Sequence, residues 1–383
     1  MERQANPYRP GFNQAPTVLA GRGDVLDAAR EALEVAAVDG RTPRPLIVVG
    51  SRGVGKTVLL GEIGEIAATE HGWPTVYVEV RPDVGFIAQL IERIEAVTEA
   101  LRDPERDRRF IIQTFSGKAA VAGVGAEFSV VRRTQPGLPS DLGLERALAA
   151  ACMAAIERSA GVVVAIDEVQ AARRRDLGEL AAVLQQHVPD SWPLVVVVAG
   201  LPSVRDAGRS VTYLERGEWH ELGMLERADT LLALTGPAQT AGRPLDTGAA
   251  GVLADASGGY PYAVQVMGHH AWRASHGAAR ITVRHVTAAL PRAERDLAAG
   301  LYAGRWEGAS PKERDYLLVV AGLLESGDQA TSGAVAARLG STTRDLSYLR
   351  DRLLKKGTLV ASGGQLTFPV PGMAAWVASR ADR

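Results

Sequence analysis

Cysteine is almost missing from this chain, with Cys152 the single example in 383 residues. A disulfide framework or a thiolate metal site needs more than one, so neither is expected. No apolar run reaches the roughly 18 residues of a membrane-spanning helix, so no membrane contact is expected. The opening residues Met1-Glu2-Arg3-Gln4 lead into a stretch rich in proline, glycine and asparagine without the apolar core of a leader. These absences predict a cytoplasmic protein. Lysine occurs only five times, the basic residues being overwhelmingly arginine, and the formal net charge is −1. Any nucleic-acid contact must then come from a local patch rather than a global field. The length predicts about two or three domains, each able to bury a core.

Glycine is plentiful, at 41 residues, and one cluster carries chemistry. The apolar run 45–49 stops at Gly50, followed by Ser51-Arg52-Gly53-Val54-Gly55-Lys56-Thr57-Val58 and a helical pattern. This is the G-x-x-x-x-G-K-[ST] spacing in a strand–loop–helix context, which predicts a loop for nucleotide phosphates. Gly50, Gly53 and Gly55 are expected where a Cβ would block the close approach of backbone N–H groups to phosphate oxygens. The free N–H groups at the start of the next helix face the same phosphates. Lys56 is assigned to the β- and γ-phosphates of ATP and Thr57 to Mg²⁺.

Around the loop, continuous β-branched runs at 76–80, 161–166 and 194–199 alternate with helical patterns at 56–70, 85–102, 144–159 and 177–187. That alternation predicts a parallel sheet covered by helices on both faces. A helix at 24–38 precedes it, and an extended arm, 1–20, precedes that. Residues 103–141 read as an insertion, with a hairpin expected near 121–131. The strand Val162–Ile166 ends in Asp167-Glu168. Asp167 is assigned to Mg²⁺, and Glu168 to polarising the water that attacks the γ-phosphate, giving ADP and phosphate. Arg216, just before a short strand at 219–222, is assigned as an arginine acting on a neighbouring subunit's γ-phosphate, which implies self-association. The competing reading pairs it with Glu215 or Glu218 on the surface. Arg205 and Arg209 are weaker candidates, and Arg173-Arg174-Arg175 reads as a solvated helix start or a patch for a partner.

These residues resemble the AAA+ superfamily, on the branch joining origin-recognition-like ATPases with STAND signalling ATPases. Leu19-Ala20-Gly21-Arg22 resembles the GR box, Gly50–Thr57 the Walker A motif, Ile166–Gln170 the Walker B motif, and Gly259-Tyr260-Pro261 the G-x-P motif of a helical lid. The resemblance implies that Gly21 and Arg22 lie near adenine and ribose and that Pro261 belongs to the nucleotide site. It implies a P-loop domain at 21–225 and a lid at 226–307, where the residue pattern itself reads as helices at 229–234, 247–256 and 261–275. One departure is plain. The strand ending at Val198 is followed by Ala199-Gly200-Leu201-Pro202, not by the polar residue that senses the γ-phosphate in the family. The lid also shows no sensor arginine in its usual motif, so slow hydrolysis is expected.

Residues 308–383 read as helix, helix, helix and hairpin, a winged helix-turn-helix, which also resembles origin-recognition-like ATPases. The third helix, 343–356, turns Leu346, Leu349 and Leu353 to the core. Its surface carries Arg344, Ser347, Tyr348, Arg350, Arg352, Lys355 and Lys356, against Asp345 and Asp351. This net positive face is assigned to double-stranded DNA. The expected function is an ATP-controlled, DNA-binding switch. The alternatives are a signalling scaffold whose winged helix packs internally or on an unidentified protein, and a mobile-element ATPase that helps a DNA enzyme.

Overall fold

Strands that are apolar on both faces must be covered on both, and that requirement organises the first half of the chain. In the computed structural model, residues 4–11, 14–103, 140–186, 188–205 and 212–381 are described. They fall into two units, one of Arg22–Gly50 and Lys56–Glu221, the other of Met1–Gly21, Ser51–Gly55 and Leu222–Arg383. The expected hairpin at 121–131, most of the 103–141 insertion, and Arg209 lie outside the described residues.

The first unit opens with α1 (Gly23–Ala37), β1 (Leu46–Gly50) and α2 (Lys56–His71). Then follow β2 (Thr75–Glu79), α3 (Phe86–Arg102), α4 (Ser140–Ile156), β3 (Val162–Asp167), α5 (Arg174–Gln186) and β4 (Leu194–Gly200). A four-residue helix α6 (Thr212–Glu215) and β5 (Glu218–Leu222) close it. The strand order is β2-β3-β4-β1-β5, with β2–β3, β3–β4 and β4–β1 parallel. Every residue of β1, β3 and β4 is buried. Helices α1 and α2 pack on one face and α3, α4 and α5 on the other. Cys152 is fully buried on α4, and that burial pushes its thiol up to about 12. Because β4 lies between β1 and β3, its carboxyl end stands between the ends that carry Gly50 and Asp167. Ligands of open α/β sheets bind at strand carboxyl ends.

The second unit has one continuous apolar core, from Tyr8 to Val377. The arm enters it through Tyr8, whose hydroxyl donates to the Leu234 carbonyl. A Cβ on Gly268 would lie 2.4 Å from the Tyr8 ring, so glycine is needed there. Helix α7 (Arg227–Thr240) runs six residues past the expected end at 234, through Pro237. Proline removes only its own donor, and Leu234 and Ala238, both fully buried, keep the following turn in the core. Helices α8 (Thr247–Ser257), α9 (Pro261–Ala274) and α10 (Val283–Leu297) follow. A π-helical turn, Ala298–Tyr302, leads to α11 (Ala303–Glu307).

Next come α12 (Pro311–Glu325), α13 (Ser332–Arg338), α14 (Thr343–Lys355) and the hairpin β6 (Val360–Ser362) and β7 (Gln365–Thr367). Gly363 and Gly364, both at positive φ, make the two-residue turn. A last helix, α15 (Met373–Ala378), has no counterpart in the sequence reading. Tertiary packing sustains its six residues: Met373 and Val377 are buried, and Trp376 meets Tyr302 and Trp306 edge-on. No helix among the described residues is long and apolar enough to cross a membrane.

Candidate functional site

The 51–55 loop leaves β1 and delivers the chain to the first turn of α2. Gly53 and Gly55 adopt φ of +84° and +97°, a region that side-chain-bearing residues avoid. Gly50 is the last residue of β1 and has no positive φ, and its carbonyl oxygen lies 2.9 Å from the Lys56 ammonium. Lys56 and Ser51 are buried, Val54 more deeply still, Val58 half-buried, and Arg52 exposed. Burying an ammonium is costly unless it is paired, and here a loop carbonyl holds it.

The Thr57 hydroxyl donates to Asp167 Oδ2 over 2.5 Å. The Tyr77 hydroxyl donates to the same oxygen at 3.1 Å, and Asp167 Oδ1 accepts from the Glu168 N–H at 2.8 Å. Both carboxylate oxygens of this buried side chain are therefore satisfied. Burial and the Asp167 carboxylate push the Tyr77 phenol well above its ordinary value, so it is a permanent donor. Tyr77 escaped the sequence reading because it sits mid-strand on β2 without a motif; β2 pairing with β3 brings it to Asp167. Two hard oxygens, Thr57 Oγ1 and Asp167 Oδ2, this close together suit a Mg²⁺ that takes its remaining ligands from phosphate and water.

Glu168 follows at φ +53°, ψ +34°. A non-glycine residue held left-handed costs on the order of 1–2 kcal/mol, and here the bend turns the chain sharply after Asp167. The Gln170 amide nitrogen donates to Glu168 Oε2, while its oxygen accepts from the Leu201 N–H at 2.9 Å.

Gly21, at φ +65°, would place a Cβ 2.8 Å from Asp229 Oδ2, and Arg22 is buried ahead of α1. Pro261 is the first residue of α9. The residue beside it, Tyr260, is fully buried and donates its hydroxyl to the Arg52 carbonyl at 2.7 Å. Arg305 Nη2 approaches the same carbonyl at 3.4 Å, and Arg305 Nη1 is buried without a hydrogen-bond partner. Burial lowers the Arg305 pKa, and the Tyr260 phenol and the charge of Arg52 act on it as well. Sequence reasoning missed Arg305, which lies in no recognisable motif.

Arg216 is exposed and makes no ion pair among the described residues. Of the two surface partners in the competing reading, Glu215 and Glu218, Glu218 lies instead by Arg44 and His220. Arg205 is engaged by Glu221 at 3.4 Å and stacks over Trp219. On α14, Arg344, Tyr348 and Lys355 are exposed, and Ser347 turns its hydroxyl to the Arg344 carbonyl. Arg350 is paired with Asp351 and Arg352 with the buried Glu313. Lys356 also reaches Glu313, at 2.8 Å.

Residues 18–197 match the family model described as an AAA ATPase domain. This is an AAA+ P-loop domain. Residues 299–377 match a second model, described as a domain of unknown function (DUF8462). No curated relative matches the chain. The fold of this chain is similar to that of the Walker-type ATPase PABY2304 of Pyrococcus abyssi, at 17% identity and TM-score 0.61, over 94% of this chain and 96% of that one. It is likewise similar to the ORC2 protein of Aeropyrum pernix, solved as ADPNP-ADP complexes, at 15% identity and TM-score 0.60, over 97% and 95% of the two chains.

Proposed function

We propose that this AAA+ protein is a nucleotide-controlled regulatory switch that binds ATP with Mg²⁺, hydrolyses it slowly and contacts double-stranded DNA through α14. The Thr57–Asp167 pair carries the reading. The Thr57 hydroxyl and the carboxylate that ends β3 lie 2.5 Å apart, and the Lys56 ammonium meets the Gly50 carbonyl at 2.9 Å. Gly53 and Gly55 give the loop a backbone path suited to phosphate oxygens. Mg²⁺, when bound, offsets phosphate charge; Thr57 and Asp167 would hold it and Lys56 would hold the phosphates. Glu168 is the carboxylate for the attacking water. Leu201-Pro202 at the end of β4 offers no polar side chain to the γ-phosphate, which favours slow turnover.

For DNA, Arg344 and Lys355 are the two cations of α14 without a carboxylate partner among the described residues. Two phosphate contacts predict about a tenfold loss of affinity between 50 and 200 mM salt. Filter binding of duplex DNA at both salt concentrations, with and without ATP, tests this. Binding that depends on salt and is lost in R344A/K355A supports it, and no salt-dependent binding in either nucleotide state removes DNA from the reading. One observation favours the scaffold alternative: the helices of 227–307 share an unbroken core with 308–377, as an internally packed regulatory unit would.

A further inference from the structure

The Glu168 carboxylate is not free to choose its orientation, because the Gln170 amide ties it to the main chain at the end of β4. We propose that Gln170 is a positioning residue for water activation, fixing Glu168 by bridging it to the Leu201 N–H. The proposal rests on the reading of Glu168 as the water-activating carboxylate.

The geometry leaves the amide one orientation. Leu201 offers an N–H and needs an acceptor, whereas Glu168 offers a carboxylate oxygen and needs a donor. Only an amide at position 170 meets both, with its oxygen on Leu201 and its nitrogen on Glu168. Space for it comes from Gly200. A Cβ there would stand 2.8 Å from Gln170 Oε1, 2.9 Å from Val169 and 2.7 Å from Val204. A side chain at the strand end would therefore expel the amide. The neighbouring register pairs Ile166 with Val198 and Val49 with Gly200, so the bridge is made at the level of the carboxyl end of β1. Gln170 thus supplies polar chemistry at the end of β4, where the chain itself offers Gly200 and then Leu201 and Pro202.

The bridge occupies Glu168 Oε2 and leaves Oε1 to the water. In hydrolysis the water oxygen bonds to the γ-phosphorus, and the bond from that phosphorus to the β–γ bridging oxygen breaks, its electron pair leaving on ADP. The water's proton is taken by Glu168 and passes on to solvent. A carboxylate misplaced by about 1 Å loses about a hundredfold in rate. The left-handed backbone at Glu168 makes such drift easy once the bridge is gone.

Two variants of the full chain test the bridge. Q170L removes both hydrogen bonds at similar volume and is expected to lower kcat about a hundredfold while ATP affinity stays within about threefold. Q170E keeps an acceptor for Leu201 but offers the Glu168 carboxylate no amide donor, so its kcat should fall likewise with ATP affinity again within about threefold. The Leu201 amide resonance, followed by selective ¹⁵N-leucine labelling without nucleotide, should move in Q170L. Unchanged kcat in Q170L or in Q170E overturns the proposal, and Q170E decides if Q170L folds poorly. If the wild type binds ATP and does not hydrolyse it, the water-activation reading falls and this one with it. A Leu201 resonance that moves in Q170L would then show the bridge present but serving no hydrolysis.

Discussion

The Tyr260 hydroxyl stands 2.7 Å from the Arg52 carbonyl, and a methyl group on Gly53 would fall 1.8 Å from that hydroxyl. The phosphate loop and the start of α9 therefore constrain one residue together. G53A is expected to weaken ATP binding for two separable reasons, the collision and the left-handed φ. Adding Y260A removes the collision and leaves the backbone cost of about 1–2 kcal/mol, roughly a fivefold to thirtyfold deficit. Titration with a fluorescent ATP analogue would read both steps. A double variant no better than G53A alone would show that Tyr260 is irrelevant to the loop.

Asp167 accepts from Thr57, Tyr77 and the Glu168 N–H. In D167N the fold persists but the charge for a divalent cation is lost. The variant should bind ATP equally with Mg²⁺ and with EDTA, at the level the wild type shows in EDTA. K56A should lose affinity under both conditions. Calorimetric titration separates the two, and a D167N protein still strengthened by Mg²⁺ would contradict the assignment.

Arg216 is solvent-exposed without an ion pair among the described residues, as an arginine serving a neighbouring subunit would be. Mixing R216A chains with K56A chains tests this. Shared sites give mixed assemblies whose turnover exceeds that of either parent, by up to the 10³–10⁵ range of such arginines, about three decades or more. Additive, near-zero turnover in the mixture means that each site is complete within one chain.

Glu313 is fully buried at the first turn of α12, where it accepts from the Ser310 N–H at 2.7 Å and from Lys356 at 2.8 Å. Burial alone would raise its pKa, but Lys356 and Ser310 outweigh burial and hold it below the usual value. A carboxyl whose folded pKa lies under its unfolded value of about 4.3 contributes stability above that pH and loses it as pH falls through the folded pKa. Thermal melts should therefore show the wild type losing stability below about pH 4.3 more steeply than E313Q. At neutral pH E313Q should be less stable by about 2 kcal/mol, under the full cost of breaking a buried pair because Lys356 and Arg352 stay partly solvated. Equal acid sensitivity of the two proteins would exclude this cluster as the source.

The sequence by itself determined the phosphate loop, the Asp167-Glu168 step, the buried strands and the order of helices and hairpin near the C-terminus. Each is written in local spacing: glycines before Lys56-Thr57, β-branched runs of strand length, and leucines three or four apart on α14. Local spacing did not show that the Gly50 carbonyl meets the Lys56 ammonium. It also ended α7 at residue 234, where burial of the next turn carries the helix on to Thr240. Tertiary structure alone decided what surrounds the loop and the carboxylates. Tyr77 reaches Asp167 across 90 residues, Gln170 reaches Leu201 across 31, and Tyr260 reaches Arg52 across 208. It also divided the cations of α14 between carboxylate partners and solvent, since Glu313 lies on another helix. A hydrogen bond between distant residues leaves no periodicity in the chain; it exists only once strand pairing and core packing have fixed where both ends stand.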